Sequence, residues 1–200
     1  MSEAMSTKEK ILEAALTIFS EKGYDAASVD ELAELAGVKG PAIYYHFKGK
    51  DAILDGIVEK VENHYEKHFG SPHNIEPFPN SLEELISISM KRIDFTIHDE
   101  KIKKIRRLII TEQFRNERMR NLATKHFVTG IENLYVATFE HMIREGILVP
   151  DDAKILASEF TAPITQLVHL IDREPEKEQQ AMEKVKAHLE HFVKIYGRRN

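Results

Sequence analysis

Apolar residues recur at helical spacing along almost the whole chain. Ile11, Ala15 and Phe19 lie four residues apart near its start, and similar stripes follow at later positions. Residues three or four apart share one face of an α-helix, so each stripe predicts an amphipathic helix. Strict apolar–polar alternation between turn residues, which is typical of strands, does not occur. The pattern predicts an all-α fold of about nine helices.

Two short helices separated by a glycine turn follow the first helix. Ser28, with Glu31 three residues later, forms a capping box at the start of the first of them. Gly37 can end that helix in the left-handed conformation. Gly40 then suits an N-cap and Pro41 the first helical position, where a missing N–H costs nothing. Two helices around a glycine turn within about twenty residues predict a helix-turn-helix.

The second of these helices carries more polar aromatic residues than one buried face can hold. Ile43 and Phe47 lie four residues apart and can anchor it to a core. Tyr44, Tyr45 and His46 then point away from that core. Phenol and imidazole groups can donate hydrogen bonds to phosphate oxygens, and their rings can lie against sugars and bases. The helix therefore has the composition of a DNA-contacting element.

Positive charge is concentrated around the same helix. Lys39, Lys48 and Lys50 flank it, and no Asp or Glu occurs from residue 36 to residue 50, so this interval carries +3. The whole chain carries −5. A local basic face on an acidic protein is suited to a focused contact with DNA, whereas the overall charge disfavours indiscriminate nucleic-acid binding.

The N-terminal residues together resemble the DNA-binding domain of the TetR family of transcriptional repressors. The similarity is specific over about residues 5–65 and fades afterwards. The residues that carry it are Ile11-Leu12-Glu13-Ala14-Ala15, Phe19, Lys22-Gly23-Tyr24, Ser28-Val29, Leu32-Ala33, Ala36-Gly37-Val38 and Ile43-Tyr44-Tyr45-His46-Phe47-Lys48-Gly49-Lys50.

The resemblance implies a three-helix DNA-binding domain over residues 5–65 and a larger helical ligand-binding and dimerisation domain over 66–200. The helix that begins at residue 50 is shared between them as a linker. The family often has Ser, then Lys or Arg, then Gly after the turn, where this chain has Lys39-Gly40-Pro41. Operator sequences of other members therefore do not transfer. The expected DNA-contacting residues are Ser28, Val29, Lys39, Gly40, Pro41, Ala42, Tyr44, Tyr45, His46 and Lys50, with Ser28, His46 and Lys50 on phosphates.

A long helix and a proline-rich loop follow the DNA-binding domain. Apolar positions from Ile53 to Phe69 predict a helix of about twenty residues, some 30 Å long. Such a helix suits a lever between two domains, and the resemblance implies the same coupling role. Residues 70–80 contain three prolines and a glycine, which predicts a loop. Ser81 and Glu84 form a second capping box after it.

A basic run, Lys101 to Arg107, interrupts the middle of the chain. Ile102 and Ile105 lie along one side of it. The run can be a second phosphate contact or the solvated face of an amphipathic helix, and charge runs of this length more commonly have the second role.

The last two predicted helices favour a homodimer. The helix over 152–172 is apolar on nearly every side, with Pro163 inside it as a predicted kink. The final helix carries a heptad-like apolar seam. Together with the previous helix, this seam predicts a four-helix bundle to which each subunit contributes two helices. A core within one chain explains the seam almost as well. The predicted interface residues are Leu167, Leu170, Ile171, Met182, Val185, Leu189, Phe192 and Tyr196.

The central helices contain residues suited to lining a ligand pocket. The resemblance implies a small, often apolar effector in this region. A cavity beside a proline kink could use a few polar groups, although aromatic residues in a helical bundle more often form plain core. The predicted lining is Phe95, Phe114, Phe127, Tyr135, Phe139, Phe160, Gln166 and His169.

Signals for catalysis and cofactors are weak. The sequence has no cysteine, no glycine-rich phosphate loop, no HExxH and no nucleophile elbow. His64 and His68, and likewise His188 and His191, have spacings that can hold a metal, although exposed histidines explain both pairs better. We therefore predict no enzyme, no cofactor and no bound metal. No apolar run reaches transmembrane length and no secretion signal precedes the first helix, so a cytoplasmic location without a membrane partner is expected.

The sequence thus predicts a homodimeric repressor that binds a palindromic double-stranded DNA operator and leaves it when a small, apolar or amphipathic ligand binds. The alternative is a helical homodimeric interaction module whose helix-turn-helix contacts protein and not DNA.

Overall fold

The computed structural model describes residues 5–69 and 78–198. Their regular structure is helical, in the order α1 (Thr7–Lys22), α2 (Val29–Ala36), α3 (Gly40–His46), α4 (Lys50–Phe69), α5 (Leu82–His98), α6 (Glu100–Glu112), α7 (Glu117–Thr124), α8 (Gly130–Arg144), α9 (Ala153–Arg173) and α10 (Glu178–Tyr196). A π-helical turn, Lys125–Thr129, joins α7 to α8 without a break. With α7 and α8 counted as one rod, the described residues form nine helical rods, which confirms the predicted all-α fold. The predicted loop at 70–80 falls mostly on residues 70–77, outside the described residues.

The described residues group into two compact units. The first contains residues 5–68 and 100–120, and the second contains residues 69, 78–99 and 121–198. The sequence predicts a single domain boundary, near residue 65. The packing instead places α6 in the first unit, because its Ile102, Ile105 and Ile109 are buried there.

The first unit is built on helix ends that the sequence specifies. Ser6 and Ser28 each form a complete capping box, with Glu9 and Glu31 respectively. Gly37 ends α2 in the left-handed conformation, with φ 64° and ψ 35°. One boundary differs by a residue: Lys39 is the N-cap of α3, and Gly40 is already helical.

The helix α6 lies along α1 in the first unit. Lys101 forms an ion pair with Glu13 at 3.1 Å, and Lys104 donates a hydrogen bond to the Thr17 hydroxyl at 2.9 Å. Lys60 of α4 binds the same Glu13 carboxylate at 2.8 Å. The basic run is therefore neither a plain solvated face nor a free cationic surface, because part of it fastens α6 to α1.

The second unit is organised around an aromatic core. Tyr135 and Phe139 of α8 contact Phe160 of α9, with ring centroids 4.6 and 5.3 Å apart, and Phe160 contacts Phe192 of α10 at 4.8 Å. The Tyr135 hydroxyl is hydrogen-bonded to the buried Ser89 hydroxyl of α5 at 2.9 Å. Such offset and edge-to-face ring pairs contribute stability beyond the area they bury.

Two predictions for this unit need correction. Four predicted dimer residues, Ile171, Val185, Leu189 and Phe192, are buried in the core of the single chain. A side chain that is already shielded from water gains nothing from a partner, so these four are not interface residues. The heptad-like seam of α10 faces its own chain. Leu167, Leu170, Met182 and Tyr196 keep partial exposure.

The second correction concerns the predicted pocket lining. Tyr135, Phe139 and Phe160 are closely packed against one another and leave no room between them for a ligand. Phe114 is 88% exposed in the turn after α6, in the first unit. The other four predicted residues are only partly buried or exposed.

Candidate nucleic-acid interface

The orientation of α3 follows from two buried side chains. Ile43 is fully buried and Phe47 nearly so, and both face the core of the first unit. Burying two such side chains stabilises this placement by about 1.5–3 kcal/mol each. Their burial fixes the rotation of the helix, so that Tyr44 and Tyr45 lie on the opposite side and are 62% and 86% exposed.

The exposed face of α3 has lysines at both ends. Lys39 at its N-cap and Lys48 after its last residue are exposed. The His46 ring contacts the Tyr45 ring edge-to-face, with centroids 5.0 Å apart. Pro41 is exposed, and Gly40 and Ala42 are partly exposed. The predicted residues of α3 are therefore at least partly exposed. Their hydroxyl, imidazole and ammonium groups are suited to binding a nucleic-acid backbone.

The N-terminus of α2 contributes Ser28 and Val29 beside this surface. The Ser28 hydroxyl accepts a hydrogen bond from the Glu31 N–H at 3.2 Å, and the Glu31 carboxylate accepts one from the Ser28 N–H at 3.0 Å. The hydrogen bond from Lys22 and those from Ser28 lower the pKa of Glu31 to about 2. Val29 is partly exposed at the first helical position.

Lys50 has a different role from the one predicted. Its ammonium group donates hydrogen bonds to the backbone carbonyls of Tyr24 at 2.8 Å, Asp25 at 3.2 Å and Ala27 at 2.8 Å. An ammonium group has three N–H donors, so these carbonyls use all of them. Lys50 therefore holds the loop between α1 and α2 and does not hold a phosphate in this conformation. Lys48, which is not among the predicted DNA-contacting residues, is exposed at this end of α3.

Tyr24 has contacts in this region that the sequence did not predict. Its ring packs edge-to-face on Phe19 at 5.2 Å, as expected for a tyrosine beside a turn. Its hydroxyl also donates to Asp51 Oδ1 at 3.0 Å, and the Lys50 ammonium lies 4.8 Å from its ring centroid. Burial and the hydrogen bond to Asp51 raise the pKa of Tyr24 to about 12. The lysine and the aspartate at the start of α4 were the available signal.

Known proteins are similar to this chain over the region that contains the candidate interface. The sequence pattern that defines the bacterial regulatory proteins of the tetR family matches residues 11–57, which span α1 to the middle of α4. Residues 11–57 are thus those of a TetR-family helix-turn-helix transcriptional regulator. This match indicates a DNA-binding transcriptional regulator, not an enzyme.

Individual relatives are similar mainly in this part. The biofilm operon regulator IcaR of Staphylococcus epidermidis is 26% identical over 125 residues, which are 48% of this chain and 68% of IcaR. IcaR of Staphylococcus aureus is 42% identical over 52 residues, which are 26% of this chain and 28% of that protein. The chain thus aligns with little more than a quarter of the second relative.

Solved structures share the complete fold. SmeT, the repressor of a multidrug efflux pump of Stenotrophomonas maltophilia, superposes with a TM-score of 0.71 at 21% identity over 97% of this chain and 92% of SmeT. The SmeT–triclosan complex superposes with a TM-score of 0.76 at 20% identity over 97% and 93% of the two chains. At this identity the similarity establishes the helical TetR architecture.

The second unit contains a cleft of ≈ 340 Å³ between α8, the π-helical turn and α9. Three of the eight predicted lining residues, Phe127, Gln166 and His169, line it. Phe127 and His169 are in edge-to-face contact, with centroids 4.9 Å apart. Sequence reasoning missed the remaining lining residues, which are Val128, Glu132, Thr161, Ala162, Thr165 and Arg173.

Both histidine pairs with metal-binding spacing have other contacts in the structure. The rings of His64 and His68 lie 4.5 Å apart at their centroids, and His68 Nδ1 is 2.9 Å from the His64 carbonyl oxygen. His188 Nε2 donates to the Phe160 carbonyl at 3.0 Å, a contact that joins α10 to α9. Within residues 5–69 and 78–198, no cluster of three or more His, Asp or Glu side chains is arranged to bind a metal. In the same part of the chain, every helix is too short or too polar to span a bilayer.

Proposed function

We propose that the protein is a homodimeric repressor that binds a palindromic operator and is released by a small apolar or amphipathic ligand. DNA binding is supported by the orientation of α3. Ile43 and Phe47 are buried, while Tyr44 and Tyr45 project outward between Lys39 and Lys48. In a dimer, the two copies of α3 enter successive major grooves about 34–36 Å apart. The rival function, a protein-interaction module, has no support from the family whose sequence pattern matches residues 11–57.

The exposed face of α3 divides into two kinds of contact. Tyr44, Tyr45, Lys39 and Gly40 lie where a helix of this type meets the groove, and Lys48 extends the cationic surface. Ser28 and His46 supply phosphate contacts. Most of these groups position a protein on the backbone and carry little base information. Specificity therefore rests largely on groove shape and half-site spacing.

The dimer contact is assigned to the outward faces of α9 and α10. Ile155 of α9 and Ile195 of α10 are 57% and 51% exposed, and Ala187 of α10 is also exposed. The Tyr196 hydroxyl donates to Glu159 at 2.6 Å and joins the two faces. Two neighbouring helices that both present exposed apolar side chains can supply a self-complementary contact between two copies of the chain. This face replaces the buried seam residues that the sequence suggested.

The cleft lined by Phe127, Gln166 and His169 supports a ligand site. It combines an apolar ring and Val128 with hydroxyl, amide and imidazole groups, which suits a small amphipathic molecule. The complex of SmeT with triclosan supports the same class of effector. Repression, as opposed to activation, is supported by the relatives, since IcaR is a negative regulator and SmeT a repressor.

The proposed switch acts through α4. Ligand binding changes the tilt of this 20-residue helix, so that the two DNA-binding domains no longer match the groove spacing. A ligand can do this only through different affinities for the two arrangements. A ligand that saturates the protein and leaves operator affinity unchanged would rule out this switch.

Fluorescence anisotropy tests the proposal. The protein is titrated against the duplex upstream of its own coding region and against a scrambled duplex, at two salt concentrations. We expect tight binding to the native duplex alone, weakening with salt by a log–log slope of about 0.9 per phosphate contacted. Equal and weak binding to both duplexes, with no preferred sequence in selection from a random pool, would contradict the operator proposal.

A further inference from the structure

A buried carboxylate connects α6 to the loop that leads into the helix-turn-helix. Glu112, the last residue of α6, is 3% exposed. Its Oε1 accepts the hydrogen bond of the Tyr24 N–H at 3.0 Å, across 88 residues of sequence. The approach is close, since a Cβ atom at Gly23, where φ is 86°, would lie 3.0 Å from the same oxygen.

The same loop is fixed from a second side by the start of α4. Lys50 donates to the carbonyls of Tyr24, Asp25 and Ala27, while the Tyr24 hydroxyl donates to Asp51. The next residue after this segment is Ser28, the N-cap of α2. The loop 23–27 therefore has its amide side held by α6 and its carbonyl side held by α4, directly before the helix pair that meets DNA.

Arg118, in the first turn of α7, completes the junction. Its guanidinium group contacts Asp51 Oδ1 at 3.0 Å and Asp55 Oδ1 at 2.7 Å. Asp51 thus receives both the Tyr24 hydroxyl and Arg118, and these contacts together lower the pKa of its carboxyl. The end of α6 and the start of α7 are joined in this way to both the loop and the first turns of α4.

A buried carboxylate contributes less to the stability of a fold than an apolar side chain of similar volume. Burying a charge costs free energy that a leucine or methionine of similar volume would not, and a hydrogen bond to one amide offsets it only in part. A carboxylate has one advantage over an apolar side chain, which is that it fixes the position of a particular N–H. The burial of Glu112 is therefore explained by placement of the loop better than by stability.

We propose that Glu112 is a positioning residue for DNA binding, which sets the place of α2 and α3 by holding the Tyr24 amide, with Arg118 bracing the same loop through Asp51. Glu112 itself does not touch DNA. The junction is also where the chain leaves the first unit, since Arg120 is its last residue there. Operator affinity is thus set partly by residues far in sequence from the helix-turn-helix.

The test compares Glu112→Ala with the conservative Glu112→Gln, which keeps an oxygen that can accept the Tyr24 N–H. A duplex selected by the wild-type protein from a random pool serves as the probe. Because hydrogen bonds to charged groups are worth about 1.5–3 kcal/mol, Glu112→Ala should weaken binding about tenfold or more. Glu112→Gln should stay within about twofold of wild type because it retains the acceptor. The salt slope should be unchanged in both, because no phosphate contact is lost.

Lys104→Met is the matched control. It removes a different contact of α6, the hydrogen bond of Lys104 to Thr17 of α1, and leaves the contacts of the loop unchanged. Binding is measured at a temperature where every variant is fully folded, and hydrogen exchange of the Tyr24 amide is followed on the free protein. Faster exchange and weaker binding in Glu112→Ala alone support the proposal. Equal loss of affinity in Lys104→Met, or unchanged affinity in Glu112→Ala, overturns it. The exchange measurement needs no DNA, so its result also separates failure of this inference from failure of the operator proposal.

Discussion

The ammonium group of Lys50 lies 2.8 Å from the carbonyl oxygen of Tyr24, twenty-six residues earlier in the chain. The contact joins the start of α4 to the loop before α2, with further bonds to Asp25 and Ala27. Lys50 and Lys48 are two residues apart and have the same charge, yet Lys48 is exposed whereas Lys50 is partly buried. One lysine therefore stabilises the fold, and the other is available to the proposed DNA interface.

Replacement of Lys50 by methionine should destabilise the protein. The three carbonyls lose a charged donor, so we expect the free energy of unfolding to fall by about 1–3 kcal/mol. Denaturant unfolding followed by circular dichroism measures this loss. Lys48→Met is the control, and it should leave stability within about 0.5 kcal/mol of wild type while lowering the salt slope of DNA binding by about 1. Equal stability of the Lys50 and Lys48 variants would show that the loop does not depend on Lys50.

Two lysines on the proposed dimer face should separate the subunits. Ile155→Lys with Ile195→Lys places charges on the most exposed apolar positions of α9 and α10, where burial in an interface would be costly. Light scattering after size exclusion should change from twice 23.0 kDa to 23.0 kDa. Leu35→Lys, at an exposed apolar position of α2, should leave the mass unchanged. A variant that stays dimeric would place the interface on another face.

His98 should make the second unit more stable in mild acid than in base. Its ring lies 3.1 Å from Asp94 and 3.1 Å from Glu178, which joins the end of α5 to the start of α10. Slight burial lowers the pKa of His98, but the hydrogen bond to Glu178 and the charge of Asp94 raise it more, so the net shift is upward. The contribution is complete below the unfolded pKa of about 6.5 and is lost as pH rises through the higher folded value.

The His98 effect is measured as the difference in Tm between wild type and His98→Asn at pH 5.5 and pH 8. The wild type should have its larger advantage at pH 5.5, because only the charged imidazole attracts the two carboxylates. An advantage that is the same at both pH values would mean that the ring acts through packing alone.

The helix-turn-helix was predictable because its signals are local. Ser28 with Glu31, Gly37 and Pro41 each act within one helical turn, and Ile43 with Phe47 fixes the buried face of α3 by spacing alone. The role of Lys50 was not predictable, because its partners are backbone carbonyls and these carry no mark in the sequence. The position of Glu112 was equally hidden, since its partner is an amide 88 residues away.

The dimer face and the ligand cleft were harder for another reason. A seam such as Val185, Leu189 and Phe192 has the same spacing whether it faces its own chain or a partner, and only the folded structure shows that its own core buries it. Aromatic residues likewise have no sequence feature that separates core from pocket. Phe139 lies in the core, whereas Phe127 lines the cleft beside a π-helical turn that helical periodicity does not reveal.

The central claim is that the exposed side of α3 binds DNA. It is tested most directly by anisotropy titration of Tyr45→Ala with Lys39→Gln against the duplex that the wild-type protein selects. Both side chains are exposed, so the circular dichroism spectrum and the mass of the dimer in solution should stay at wild-type values. Operator affinity should fall by about a hundredfold or more, since each contact is worth roughly 1–3 kcal/mol. A folded dimeric variant that binds the duplex as tightly as wild type would contradict the assignment of α3 as the DNA-binding helix.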